Sequence, residues 1–89
     1  MKNIEKIWVR IKKHQGEKFY LIKRAEFSYF VYGGHVIPDR TNQQIPKSHF
    51  ERALELVPLF NTTPLQKKFR GPSYIYAILM DDRIKQNDW

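Results

Sequence analysis

The sequence of 89 residues contains no cysteine. This absence excludes a disulfide framework, a thiolate metal site and a cysteine nucleophile. Small secreted domains often depend on disulfides for stability, so a disulfide-free chain of this length favours a reducing compartment. We therefore expect a cytoplasmic protein.

Long apolar segments are also absent. The longest uninterrupted apolar run, from Tyr74 to Met80, has seven residues. A membrane-spanning helix needs roughly 20. The first residues are charged and lack the apolar core of a signal peptide. The sequence therefore predicts no membrane association.

Signatures of catalysis and metal binding are missing as well. None of His14, His35 and His49 has a second histidine at the three- or four-residue spacing of a helical metal site. The only adjacent acidic pair, Asp81-Asp82, precedes Arg83 and is interpreted as part of a helix-end ion pair. We expect no enzymatic activity, no metal and no cofactor.

Aromatic residues, by contrast, are abundant: six Phe, five Tyr and two Trp. Each ring buries a large area, so a small core can be built from few of them. With 42% hydrophobic residues, the chain has the composition of a globular protein. We expect residues 1–89 to form one small basic domain.

A helix over residues 4–14 is predicted first. Asn3 is a favourable N-cap and Glu5 lies in the first turn, where an acid is stabilised by the helix dipole. One apolar stripe at helical spacing is formed by Ile4, Ile7, Trp8 and Ile11.

An antiparallel meander is predicted next. Segments rich in aromatic and β-branched residues predict strands at Lys18–Ile22, Phe27–Tyr32 and His35–Ile37, and Gly33-Gly34 suits the turn between the last two. A further short strand near Gln44-Ile45 is an open alternative.

The remainder of the chain predicts helices. Ser48 and Glu51 match a capping box, and the helix they begin ends at Pro58. Its apolar face consists of Phe50, Ala53, Leu54 and Val57.

Two more helices are predicted in the C-terminal third. Thr63-Pro64 begins a short helix that Gly71 closes. Ser73 caps another, Tyr74 to Asp82, which buries Ile75, Ile78 and Leu79, although the same segment also reads as a strand. Lys85–Trp89 is expected to be a frayed tail. The predicted fold is α+β: an N-terminal helix, a three-stranded antiparallel meander, then two or three helices packed on the sheet.

The net charge of +7 is unevenly distributed, with eight basic and two acidic residues among the first 24. Such asymmetry indicates a polyanion or an acidic protein surface as partner. On the first helix, Lys2, Lys6, Arg10 and Lys13 form a basic stripe expected to face away from the isoleucines. The alternative is an ordinary solvated helix face.

Two further features bear on nucleic-acid binding. Within the polar loop Asp39–Gln44, the Arg, Asn and Gln side chains could read base edges, although a simple polar turn has the same composition. We expect the strand aromatics to belong to the core, the alternative being that they stack on unpaired bases. These aromatics are Tyr20, Tyr29, Phe30 and Tyr32.

The sequence thus predicts a small binding domain that contacts DNA or RNA through a basic helix stripe and a polar loop. The alternative is a protein-interaction or regulatory subunit that docks an acidic partner. The residues expected to make the contacts are Lys2, Lys6, Arg10, Lys13, Lys23, Arg24, Arg40 and Asn42.

Overall fold

The fold is described by a computed structural model that covers residues 3–66 and 69–89. It is α+β, with an N-terminal helix, two small antiparallel sheets and further helices, as the sequence predicts. The elements are α1 (Ile4–Lys13), β1 (Phe19–Tyr20), β2 (Glu26–Phe27), β3 (Tyr29–Tyr32), β4 (His35–Pro38), β5 (Ile45–Pro46), α2 (Lys47–Ala53), a 3₁₀ turn (Thr63–Leu65), α3 (Pro72–Leu79) and α4 (Asp82–Lys85).

Helix α1 confirms the first prediction to within one residue. The Asn3 carboxamide oxygen accepts hydrogen bonds from the backbone N–H groups of Glu5 and Lys6, which stabilises the first turn. The predicted apolar stripe faces the core, where Ile7 and Ile11 are fully buried.

The strands form two sheets rather than one continuous meander. β1 pairs with β2, and β3, β4 and β5 make a separate three-stranded antiparallel sheet. The predicted strand Phe27–Tyr32 is interrupted at Ser28, because the Ser28 N–H donates to Asp39 Oδ1 instead of to a neighbouring strand. The third strand of the larger sheet is β5, which the sequence indicated only as an alternative.

Aromatic rings fill the core between α1 and the sheets. The rings of Phe19 and Tyr29 lie 5.2 Å apart, and those of Trp8 and Phe50 lie 5.9 Å apart. The Tyr29 hydroxyl donates to the Ile11 carbonyl at 2.7 Å, which ties the sheet to α1. Burial raises the pKa of Tyr29 above its usual value, so the hydroxyl keeps its proton and remains a donor.

The predicted apolar residues Phe50, Ala53, Leu54 and Val57 are all buried, but α2 ends at Ala53 and not at Pro58, and it also begins differently. Its N-cap is Pro46, whose side chain makes no capping hydrogen bond, so the predicted Ser48–Glu51 capping box is wrong. The physical reason is that β5 runs directly into α2: the Lys47 N–H donates to the Gly34 carbonyl, which places Ser48 inside the first turn.

The segment that could have been helix or strand is a helix, α3, which buries Ile75, Ile78 and Leu79 as predicted. Gly71 was expected to close the preceding helix, but it is the N-cap of α3 in a left-handed conformation. Ser73 therefore lies within the first turn and does not cap it. The predicted helix from Thr63 is only a 3₁₀ turn in the described part of the chain, which omits residues 67 and 68.

The C-terminal residues are docked, so the prediction of a frayed tail is wrong. Asp88 pairs with Arg10 at 2.7 Å, and the indole N–H of Trp89 donates to the Leu79 carbonyl at 2.9 Å.

The predicted helix-end ion pair at Asp81 is confirmed. Arg83 Nε donates to Asp81 Oδ1 at 2.8 Å, and the guanidinium also contacts Glu17 and lies over the Phe19 ring. Burial tends to raise the pKa of Asp81, but hydrogen bonds from Arg83 outweigh this effect and hold the pKa below its usual value. Arg83 thus joins the C-terminal helix to β1.

Candidate functional site

The predicted basic stripe on α1 is interrupted at its centre. Arg10 bonds the Ile84 carbonyl and pairs with Asp88, and its side chain is only 16% exposed. The expectation that Arg10 faces away from the protein is therefore wrong, because the C-terminal residues pack over that edge of the helix. Lys6 and Lys13 remain exposed, whereas Lys2 lies outside the described residues.

Two other predicted residues, far apart in the sequence, are brought together. Lys23 and Arg40 line one cleft of about 580 Å³, which we call the hairpin cleft because the turn between β1 and β2 forms one wall. That turn also contributes Leu21, Ile22 and Ala25, and the other lining residues are Thr62, Ser73 and Tyr74.

The turn holds its basic residues at the surface. The Leu21 N–H donates to the Ala25 carbonyl, and the Arg24 N–H donates to the Leu21 carbonyl at 2.7 Å. Arg24 has φ of 67°, a left-handed conformation that costs a non-glycine residue about 1–2 kcal/mol. Lys23 and Arg24 are both exposed beside the hairpin cleft.

A second cleft, of about 550 Å³, is lined by residues 41–44 of the 39–44 loop. We call it the loop cleft. It contains the predicted residue Asn42 together with Arg70, which sequence reasoning missed. The complete lining is His35, Thr41, Asn42, Gln43, Gln44 and Arg70.

Residues 70–74 connect the two clefts. Arg70 lines the loop cleft, whereas Ser73 and Tyr74 line the hairpin cleft. Gly71 between them is buried, and a Cβ at this position would lie 2.8 Å from Ile45 Cδ1. The partners of this Arg-Gly-Pro-Ser-Tyr segment are distant in the chain and could not be read from the sequence.

His49 on α2 holds the first residue of the segment 70–74 that connects the two clefts. Its Nδ1 accepts a hydrogen bond from the Arg70 N–H at 3.1 Å, which requires an unprotonated nitrogen. Burial, followed by the charges of Arg52 and Arg70, lowers the pKa of His49 below its usual value. The neutral ring therefore holds the backbone of Arg70 and leaves the guanidinium exposed.

The described residues that line the two clefts include cations but no anions, because no carboxylate side chain is among them. Nor does any of Lys23, Arg24, Arg40 and Arg70 form an ion pair within residues 3–66 and 69–89. Their positive charge is thus available to a ligand, unlike that of Arg10.

The strand aromatics divide between core and surface. Tyr29 is buried as expected, but Tyr20, Phe30 and Tyr32 are exposed, so the prediction that they belong to the core is wrong for these three. The alternation of side chains along β3 indicates this exposure, because it places Phe30 and Tyr32 on the face opposite Tyr29.

Other kinds of site find no support in what the structure describes. No group of three or more His, Asp or Glu residues there could hold a metal ion, and no helix among these residues is long and apolar enough to cross a bilayer. Comparison with protein-family models, with curated proteins and with solved structures finds no match.

Proposed function

We propose that this protein binds nucleic acid through the hairpin cleft, the loop cleft and the basic turn beside them. The observation that carries the proposal is a surface with four cations that form no ion pair among the described residues and no carboxylate lining its described clefts. These cations are Lys23, Arg24, Arg40 and Arg70. Lysine and arginine that neutralise phosphates supply most of the affinity in such complexes.

The two clefts are suited to different parts of a nucleotide. In the hairpin cleft, Lys23 and Arg40 provide charge, and the hydroxyl groups of Thr62 and Ser73 provide hydrogen bonds, a combination that fits a phosphate. The loop cleft offers the carboxamides of Asn42, Gln43 and Gln44, which can pair with base edges.

The carboxamides also favour nucleic acid over an acidic protein surface. A carboxylate needs only donors, and the arginine and lysine side chains already provide them. Asn42, Gln43 and Gln44 each offer an acceptor in addition, which base edges can use and carboxylates cannot. The carboxylates of an acidic protein partner, the alternative inferred from the sequence, have no donor for these acceptors.

The test is fluorescence anisotropy of a labelled single-stranded oligonucleotide of about twelve nucleotides, a length within the range of single-strand sites. If four phosphates are neutralised, the logarithm of the binding constant should fall with the logarithm of salt concentration with a slope of about −3. DNA and RNA versions are measured in parallel, and poly-glutamate serves as competitor.

Two results would contradict the proposal. One is no anisotropy change at about 50 mM salt, where electrostatic binding is strong. The other is displacement by poly-glutamate as effective as by unlabelled oligonucleotide, which would favour an acidic protein partner.

A further inference from the structure

The outer face of the three-stranded sheet exposes two aromatic rings. Phe30 is 58% exposed and Tyr32 is 79% exposed, whereas their neighbour Tyr29 is fully buried. Successive side chains of a strand point to opposite faces, so Phe30 and Tyr32 share the outer face. Large rings exposed side by side on a rigid strand are unusual without a ligand or partner.

The strand register shows that the same outer face extends onto β4. Phe30 lies directly opposite Ile37, and Tyr32 lies directly opposite His35. Residues opposite each other in an antiparallel pair project from the same face. These four residues, Phe30, Tyr32, His35 and Ile37, are called the aromatic face below.

The aromatic face is continuous with the proposed binding surface. His35 belongs to both, because it also lines the loop cleft beside Asn42 and Arg70. At the other end, Phe30 Cε1 lies 3.9 Å from the position of a Cβ on Gly16. The cation Arg70 therefore lies beside the His35 end of the aromatic face.

The edge of β3 beside this face is already occupied. The Gly16 N–H donates to the Tyr29 carbonyl at 2.8 Å, and Gln15 Oε1 accepts from the Val31 N–H at 2.9 Å. A peptide strand cannot add to these backbone groups by β-augmentation. The ligand must therefore be recognised by the ring faces of the exposed side chains.

We infer that the aromatic face is a stacking platform for unpaired bases, so that the protein prefers single-stranded over double-stranded nucleic acid. This inference rests on the proposed function, and it names the class of nucleic acid. Bases in a duplex stack on each other and expose only their edges, whereas unpaired bases can stack on aromatic rings. Arg70, which lines the loop cleft together with His35, complements the phosphates of a strand crossing the face.

The experiment compares single-stranded and duplex oligonucleotides of equal length with the double variant Phe30→Ala/Tyr32→Ala. We expect the affinity for the single strand to fall by about tenfold or more, because each base stacked on an aromatic ring contributes a comparable factor. Duplex affinity should remain unchanged. The matched control is Phe60→Ala, since Phe60 is an aromatic residue that is 87% exposed outside the sheets, and it should bind like the wild type.

The conservative double variant Phe30→Tyr/Tyr32→Phe keeps both rings and should retain single-strand affinity. Circular dichroism checks the fold of each variant. If the alanine double variant does not fold, the single variant Tyr32→Ser replaces it, because this side chain is largely in solvent.

The outcomes separate this inference from the proposed function. If the wild type binds neither form, both fail. If the wild type binds but the folded alanine variant retains its single-strand affinity, or if duplex binds more tightly, the stacking platform is overturned and the proposed function stands. If sedimentation shows a dimer that the alanine variant disrupts without losing single-strand affinity, the face is a self-association surface and the inference is also overturned.

Discussion

Replacing Arg40 and Arg70 together with glutamate is expected to lower the affinity for a single-stranded oligonucleotide by about a hundredfold or more at 50 mM salt. Each replacement removes a cation from a cleft and adds an anion that repels phosphate. Close charges at this ionic strength are only partly screened, since the Debye length is above about 10 Å. Anisotropy titrations of the wild type and the variant measure the effect.

The double variant should remain folded. Neither arginine side chain forms an ion pair in the described part of the protein. At position 70 it is the backbone N–H, and not the side chain, that bonds to His49. Surface substitutions of this kind usually change stability by less than about 0.5 kcal/mol.

The matched control is Lys6→Glu/Lys13→Glu, which changes the net charge by the same amount on α1. We expect a loss of less than about tenfold, because these lysines act mainly through the long-range field. An equal loss in both double variants would mean that net charge, and not the clefts, governs binding. A larger loss from the lysine variant would restore the helix stripe as the binding site.

The second large effect is expected from Gly71→Ala, which should destabilise the protein by about 2–5 kcal/mol. Gly71 has φ of 55°, and an added methyl group would lie 2.8 Å from Ile45 Cδ1 and 3.3 Å from Gln43 Oε1. The left-handed conformation costs a non-glycine residue about 1–2 kcal/mol, and overpacking against buried Ile45 costs about 1–3 kcal/mol more.

Gly33→Ala is the control that measures how much stability is lost through the left-handed backbone conformation alone. Gly33 has φ of 57°, nearly the same as Gly71, but no atom lies within 4 Å of its added Cβ. This variant should therefore lose only about 1–2 kcal/mol. Urea unfolding followed by the fluorescence of the two tryptophans compares the two variants. Equal destabilisation would contradict the close packing of residues 70–74 against β5.

Local patterns predicted much of the fold. The spacing of Ile7 and Ile11 and the cap at Asn3 act within a few residues, so the sequence alone defined α1. The break at Ser28 was not predictable in the same way, because its cause is a hydrogen bond to Asp39, eleven residues later in the chain. Predictions failed where a distant partner competes with a local preference.

For the candidate site too, the sequence predicted individual residues but not their partners in space. The sequence indicated Lys23, Arg40 and Asn42 as binding residues because of their chemistry, but their grouping depends on tertiary packing. Arg70 joins Asn42 only because Gly71 fits against Ile45. Conversely, helical periodicity placed Arg10 in the basic stripe, and only the docked C-terminal residues explain its pairing with Asp88.

The most direct measurement of the central claim is an NMR titration of the ¹⁵N-labelled protein with a single-stranded oligonucleotide. The account predicts that the largest shift changes occur in the 39–44 loop, in residues 70–74 and on the aromatic face, including the side-chain amides of Asn42, Gln43 and Gln44. Smaller changes are expected in the turn that carries Lys23 and Arg24. Shift changes confined to α1 and α2, or none at concentrations that saturate a binding protein, would contradict it.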